Sequence, residues 1–457
     1  MIIDITPDNY LTVNIPLLSY INIDKQLSQH EISAFLEKNL YNIQSLKIVD
    51  NTWIKRIPLL PNLTTLECIN CQVLTIIPEL PNLTSLNCSR CEVLTTIRML
   101  PKLTTLNCSY CSWLCNIPVL PNLTSLDCSR CPVLTNIPVL PNLTSLDCSR
   151  CPVLTNIPVL PNLTSLDCSK CEKLTIIPIL LKLTDLDCNE CAWISDIPVL
   201  PNLVSLNCSK CEKLTSIQIL PNLLTLDCSD CRWLYNIPLL PNLKSLNCST
   251  CYGLDSLTDL PNLIILECTG CRSLTDISKL PNLVDLDCRR CTLLTSIPML
   301  PKLKSLNCSN CPLNKISELP NLTELICISC HNLTSITNLP NLTTLDCVEC
   351  MELLSIPILP NLTKLNYYKC RNLNIHTIPI RFILKLDKDI IVKCLEYNPY
   401  NINDILCNKE LLQLDNIINI IQYYLEYAND HTLVNLEVIL SEHNMPLPIL
   451  VKSANKT

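Results

Sequence analysis

Cysteine carries most of the potential chemistry in this chain. Of its 34 cysteines, thirty fall into fifteen Cys-x-x-Cys pairs running from Cys68/Cys71 to Cys347/Cys350. Two thiols at that spacing can ligate zinc or cycle between dithiol and disulfide, and zinc asks for four thiolates converging within about 2.3 Å of one ion. The other reactive groups do not assemble. His30, His331, His376, His431 and His443 lack the spacing of a helical metal site, and no serine lies in a nucleophile-elbow pattern. Only two glycines, Gly253 and Gly270, occur beside 34 prolines, too few for nucleotide-cradling loops. No catalytic, cofactor-binding or metal-ligating residue is assigned, and the chain reads as a non-enzyme.

What positions the cysteines is an internal repeat of twenty residues. From Pro61 to Leu300 the unit Pro-Asn-Leu-Thr-Ser-Leu-Asp-Cys-Ser-Arg-Cys-Pro-Val-Leu-Thr-Asn-Ile-Pro-Val-Leu recurs in register, and residues 121–140 and 141–160 are identical. The unit from Pro301 is one residue short, and the phase resumes at Pro320, Pro340 and Pro360. With that proline as position 0, apolar residues or Cys fall at positions 2, 5, 7, 10, 13, 16 and 19, as in Leu123, Leu126, Cys128, Cys131, Leu134, Ile137 and Leu140. Such spacing fits neither a long helix nor a long strand. Positions 4 to 8 alternate as a half-buried strand does, which predicts a coil with one short strand, stacked coil upon coil into a parallel sheet. Prolines at positions 0 and 17 predict an extended, non-helical return limb.

The pattern Leu123-x-x-Leu126-x-Cys128-x-x-Cys131-x-x-Leu134-x-x-Ile137-Pro138 resembles the leucine-rich repeat, with the last Cys where Asn usually stands; the leading unit, 41–60, has Asn51 there. The resemblance covers residues 41–379, about 17 units. The short Ile-Pro-x-Leu-Pro form looks like repeats of some bacterial effectors, and the cysteine-rich, glycine-poor version is similar to repeat proteins of giant DNA viruses of amoebae. The fold it implies is a solenoid with a parallel sheet on a concave face, an extended convex side and helical caps. The function it implies is protein binding, with a host or viral protein as the partner. In this frame both cysteines of each pair point inward. Packing, with the thiol reaching turn carbonyls, is the leading reading; disulfides between adjacent coils and metal remain as alternatives.

The ends read differently from the array. Residues 1–40 form an N-terminal segment in which Ser28-Gln-His-Glu31 opens a short capping helix. Residues 380–457 show helical periodicity at 387–397, 408–427 and 432–443 and read either as a passive cap or as a recruiting module. The net charge of −7 and pI near 5.4 speak against nucleic acid. Met1 to Tyr10 lacks the features of a secretory signal, and no apolar run approaches a membrane span. The expectation is a cytoplasmic monomer with no membrane association, and the Asn-Leu-Thr and Asn-Cys-Ser triplets read as by-products of the repeat.

Positions 4, 6 and 8 should face outward. Position 6 is acidic nine times, including Asp127, Asp147, Asp167, Asp187 and Asp227. That column is either a solvated ladder or a docking surface for a basic partner. Because identical repeats cannot distinguish points along a ligand, the candidate partner-binding residues are those where the pattern breaks: Ile265, Asp285, Arg289, Glu324, Ile326, Ile328, Val348, Lys364 and Tyr368. Trp53, Trp113, Trp193 and Trp233 share position 12, where they either pack against the next coil or form a second, lateral interface. Three functions are open: an interaction scaffold, an adaptor delivering a target to another complex such as a ubiquitin ligase, and thiol redox or metal buffering.

Overall fold

The computed structural model describes residues 2–5, 10–15, 18–26, 29–277 and 280–373. The helices expected beyond 380 lie outside them. The chain forms two units, Met1–Cys271 and Arg272–Thr457.

In the first unit, β4 (Ser45–Val49) and β5 (Thr65–Ile69) begin a run of parallel strands that advances by one coil at a time. Leu126 pairs with Leu146 and Leu146 with Leu166, so equivalent positions lie side by side in register. The inward set is the one the repeat predicts: Leu123, Leu126, Cys128, Cys131, Leu134, Ile137 and Leu140 are all buried. The second unit repeats this construction through Asp285–Asp287, Ser305–Asn307, Glu324–Ile326, Thr344–Asp346 and Lys364–Asn366. Its short repeat loses one residue between Cys311 and Leu313, where other coils have two between Cys and Leu. Leu313 and Ile316 nevertheless stay buried.

Most strands span positions 4 to 6 only, shorter than the alternation predicts. In most coils the side chain at position 6 caps the turn that follows, although the strand stops equally short at Glu267 and Ile326. Asp127 Oδ1 accepts from the Ser129 amide at 3.0 Å and from its hydroxyl at 2.7 Å, which bends the chain out of extended conformation. Position 9 then takes a left-handed conformation, with φ 57° at Arg130 and 56° at Arg150. Its amide reaches the next coil, as Arg130 N donates to Ser149 O at 2.8 Å. Sixteen non-glycine residues adopt positive φ, whereas Gly270 is the one glycine to do so among the described residues.

Two side-chain ladders clamp successive coils. Asn142 Nδ2 donates to Pro121 O at 2.8 Å, and Thr144 Oγ1 donates to Thr124 O at 2.9 Å. The same bonds recur at Asn122 and Thr124 and at Asn162 and Thr164. The Asn-Leu-Thr triplet therefore satisfies two separate coil-to-coil contacts, which accounts for its recurrence without glycosylation.

At the N-terminal end, helix α1 (Gln29–Lys38) forms where the capping box places it, and Leu36 is buried. The sheet edge, however, is covered by strands. β1 (Ile2–Ile5) pairs in parallel with β4 and antiparallel with β2 (Tyr10–Ile15), which in turn pairs with β3 (Leu18–Gln26). An open edge is a template for unwanted pairing, and here β1 occupies it. Among the described residues this end thus carries a three-stranded meander, which the sequence analysis did not anticipate, besides the short helix.

Candidate protein-binding face

The paired thiols are spent inside the solenoid. Cys131 Sγ lies 3.2 Å from Cys108 O, and Cys151 Sγ 3.2 Å from Cys128 O. The second unit repeats the contact at Cys350 and Cys327 O, 2.9 Å. Burial pushes the Cys128 and Cys151 thiols above their ordinary pKa, while the bond to Cys108 holds the Cys131 thiol below its own. Among the described residues no group of three or more His, Cys, Asp or Glu is placed to hold a metal ion. Cys115, outside the pairs, is exposed.

On the sheet face of the first unit, Asp127, Asp147, Asp167 and Asp187 stand in register on neighbouring strands. Each has one oxygen engaged by the amide two residues on, so the column serves the turns before it serves any ligand. The adjoining position-9 column is also internally matched. Arg90 and Arg130 lie over the Tyr110 ring at 5.1 and 4.8 Å. Glu190 bridges Lys170 and Lys210 at 3.4 and 3.1 Å, and the Lys210 ammonium, with Lys170 opposite, holds its carboxyl below the usual range.

Position 8 is not uniformly outward. Ser109, Ser129, Ser169 and Ser309 are buried, and the hydroxyls of Ser109, Ser129 and Ser309 donate to the position-6 side chain. In the second unit this position becomes Ile328, Val348 and Tyr368 on three successive coils, all half-buried. Their carbonyls fix the register: Ser329 N donates to Val348 O at 2.7 Å and Glu349 N to Tyr368 O at 2.8 Å. Ile326 sits beside this column at position 6, with Glu324, Thr344 and Lys364 in register at position 4. Along the adjacent edge Lys369 pairs with Glu349 at 2.6 Å. That bond, with one from Ser329, lowers the Glu349 pKa, and Lys369 Nζ also lies 5.4 Å from the Tyr368 ring centre.

Six of the nine sequence-chosen residues thus gather in one place: Glu324, Ile326, Ile328, Val348, Lys364 and Tyr368. Asp285 begins the position-4 column of the same unit. Arg289 is folded onto Asp287, with Nη2 2.8 Å from Oδ2, and is engaged within its own turn. Ile265 belongs to the first unit, where it is exposed next to Ile264.

Two surfaces lie away from the sheet. Trp113, Trp193 and Trp233 are each more than half exposed, so packing against the next coil does not bury them. Lys213 lies 5.1 Å from the Trp193 ring, and Trp233 meets Tyr235 edge-on at 6.5 Å. The sequence reading gave no weight to position 18. There Met99, Val119, Val139, Val159, Ile179, Val199, Ile219 and Leu239 are all more than half exposed. The signal was present, because a residue between an inward position 16 and an inward position 19, following a proline, has nowhere to point but out.

No protein-family model matches the chain, and no curated protein does. Among solved structures it is similar to a leucine-rich repeat protein from Bacteroides ovatus ATCC 8483, at 18% identity over 65% of this chain and 84% of that one, with a TM-score of 0.41. It is also similar to YopM from Yersinia enterocolitica WA-314, at 22% identity over 77% and 94%, with a TM-score of 0.46.

Proposed function

We propose that the chain is a non-enzymatic scaffold that binds another protein through the sheet face of its C-terminal unit. The observation that carries this reading is the substitution of turn-capping serines by Ile328, Val348 and Tyr368 on three adjacent coils. Where serine stands the side chain is small, and at Ser109, Ser129, Ser209, Ser229 and Ser309 its hydroxyl donates to the side chain at position 6. Where these residues stand, apolar and aromatic surface faces outward, bordered by Ile326, Glu324 and Lys364. Half-buried anchors within a charged rim are what protein hot spots use. The acidic balance of the chain disfavours nucleic acid as the partner. The resemblance of the repeat supplies a host or viral protein as partner class, and a reducing cytoplasm suits the many thiols. No helix among the described residues is long and apolar enough to cross a membrane.

The test is affinity capture from cytosol with the full chain, with Ile328→Asp and Tyr368→Ala, and with Asp147→Asn as a control away from the face. Tyr368→Ala should weaken binding of the captured protein by roughly thirtyfold, the effect of losing about 2 kcal/mol at a hot spot. The control should bind as wild type. Capture unchanged in both face variants would exclude this surface.

A further inference from the structure

The position-18 column is too regular and too apolar to be incidental surface. It runs without interruption over eight coils of the first unit, from Met99 to Leu239. Prolines at position 17 flank Val119, Val139, Val159, Ile179, Val199 and Leu239. Seven coil spacings of ~4.8 Å make it about 34 Å long. The return limbs that carry it are held in step by bonds such as Arg98 N to Ile77 O at 3.0 Å and Gln218 N to Ile197 O at 3.3 Å. An exposed aliphatic side chain with its flanking proline offers on the order of 100 Å² per coil. The total, near 800 Å², matches what one partner contributes to a standard interface and exceeds the apolar patches usual on a monomer.

We propose that this column binds a second copy of the chain, packed antiparallel with the twofold axis at Ile179. Identical coil spacing lets the side chains of one ridge fall in register with those of the other, and charge selects the register. The apolar column begins at Met99, whose chain neighbour Arg98 is exposed at position 17; the position-18 residues beyond its two ends are the exposed Glu79 and Asp259. Neither Arg98 nor Asp259 is in an ion pair among the described residues. With the axis at Ile179, the coil that carries Met99 and Arg98 in one copy comes opposite the coil that carries Asp259 in the other, which brings the Arg98 guanidinium beside that carboxylate. Val119 then faces Leu239, Val139 faces Ile219, and Val159 faces Val199. Sliding by one coil would set Glu79 against Asp259, and a parallel arrangement would set Arg98 against Arg98. Like charges oppose both alternatives. The twofold pair is proposed in place of the monomer expected from the sequence, independently of the sheet-face reading.

Sedimentation and light scattering of the full chain up to about 100 μM should show a dimer, an affinity range ordinary for an interface of this size. Ile179→Lys should give a monomer with an unchanged circular dichroism spectrum. Arg98→Asp or Asp259→Arg alone should weaken dimerisation about fivefold to tenfold through two symmetry-related pairs, and the double exchange should restore it. Ile179→Cys should form a disulfide with its own copy on oxidation, and Val139→Cys should bridge to Ile219→Cys but not to itself, as mapped by mass spectrometry. A monomeric wild type, an Ile179→Lys protein that is still dimeric, or cross-linking of Val139→Cys to itself would overturn the proposal.

Discussion

Cys131 Sγ sits 3.2 Å from the carbonyl oxygen of Cys108, 23 residues earlier in the chain. Neighbouring coils repeat the contact at Cys111 with Cys88 and at Cys151 with Cys128, each at 3.2 Å. One thiol thus fills apolar space and donates to the carbonyl just past the strand of the preceding coil. In the leading coil Asn51 holds the same position and works differently. Its Oδ1 accepts from Trp53 N and Ile54 N at 3.1 and 2.7 Å, while its Nδ2 is buried without a partner.

Cys131→Ala should therefore destabilise by roughly 1–3 kcal/mol, from a lost sulfur and a buried carbonyl deprived of a donor. Cys131→Ser keeps the donor and should cost less. Urea midpoints of the two variants decide the matter. If alanine were as stable as serine, the thiol–carbonyl contact would contribute nothing beyond volume.

The same burial makes stability depend on alkaline pH. Burial raises the Cys128 and Cys151 pKa in the folded chain, while in the unfolded chain a thiol titrates near ~8.5. A raised folded pKa means that the contribution is fully present below the unfolded value and declines as pH rises toward the folded one. Each such thiol lowers stability by up to about 1.4 kcal/mol per pH unit in that window. The denaturation midpoint should fall above about pH 8.5, and Cys128→Ala/Cys151→Ala should show a shallower fall. Equal slopes would mean that these thiols are not protected from ionisation.

The inward set was legible because spacings of three and two residues recur with a fixed period, and among the described residues every such position from Leu63 to Tyr367 is buried, with Cys370 half-buried. Strand length was not, because alternation through positions 4 to 8 says nothing of Asp127 Oδ1 capturing Ser129. The meander of β1 to β3 was missed although Tyr10-Leu11-Thr12-Val13-Asn14-Ile15 alternates in period two. A short hairpin before a long array is overshadowed by the repeat. In the candidate face, Ile328, Val348 and Tyr368 were found because they break a pattern, whereas the position-18 column was overlooked because it keeps one.

Position 9 holds a second test. Arg150 lies at φ 56°, a region that costs an ordinary L-residue about 1 kcal/mol, that Asn tolerates, and that a β-branched residue resists most. Arg150→Val should lower stability by about 1–2 kcal/mol, and Arg150→Asn should leave it unchanged or slightly raised. Chemical denaturation with circular dichroism detection separates them. Val as stable as Asn would show that the turn relaxes out of the left-handed region.

The asparagine ladder supplies the last test, and it distinguishes a structural amide from a glycosylation acceptor. Asn142 Nδ2 donates to Pro121 O at 2.8 Å; Asn142→Asp replaces that donor by an anionic acceptor facing a carbonyl. Because the bond is exposed, water compensates in part, and the cost should be about 1 kcal/mol, in the range of a single net hydrogen bond. The effect should appear above the carboxylate pKa of about 4 and shrink below it, where the protonated acid can donate again. Asn142→Ser, a shorter neutral side chain, should show a loss without that pH dependence. Denaturation midpoints at pH 3.5 and 7 for the two variants check the assignment. An Asn142→Asp protein as stable as wild type at pH 7 would remove Asn142 from the coil-to-coil clamp.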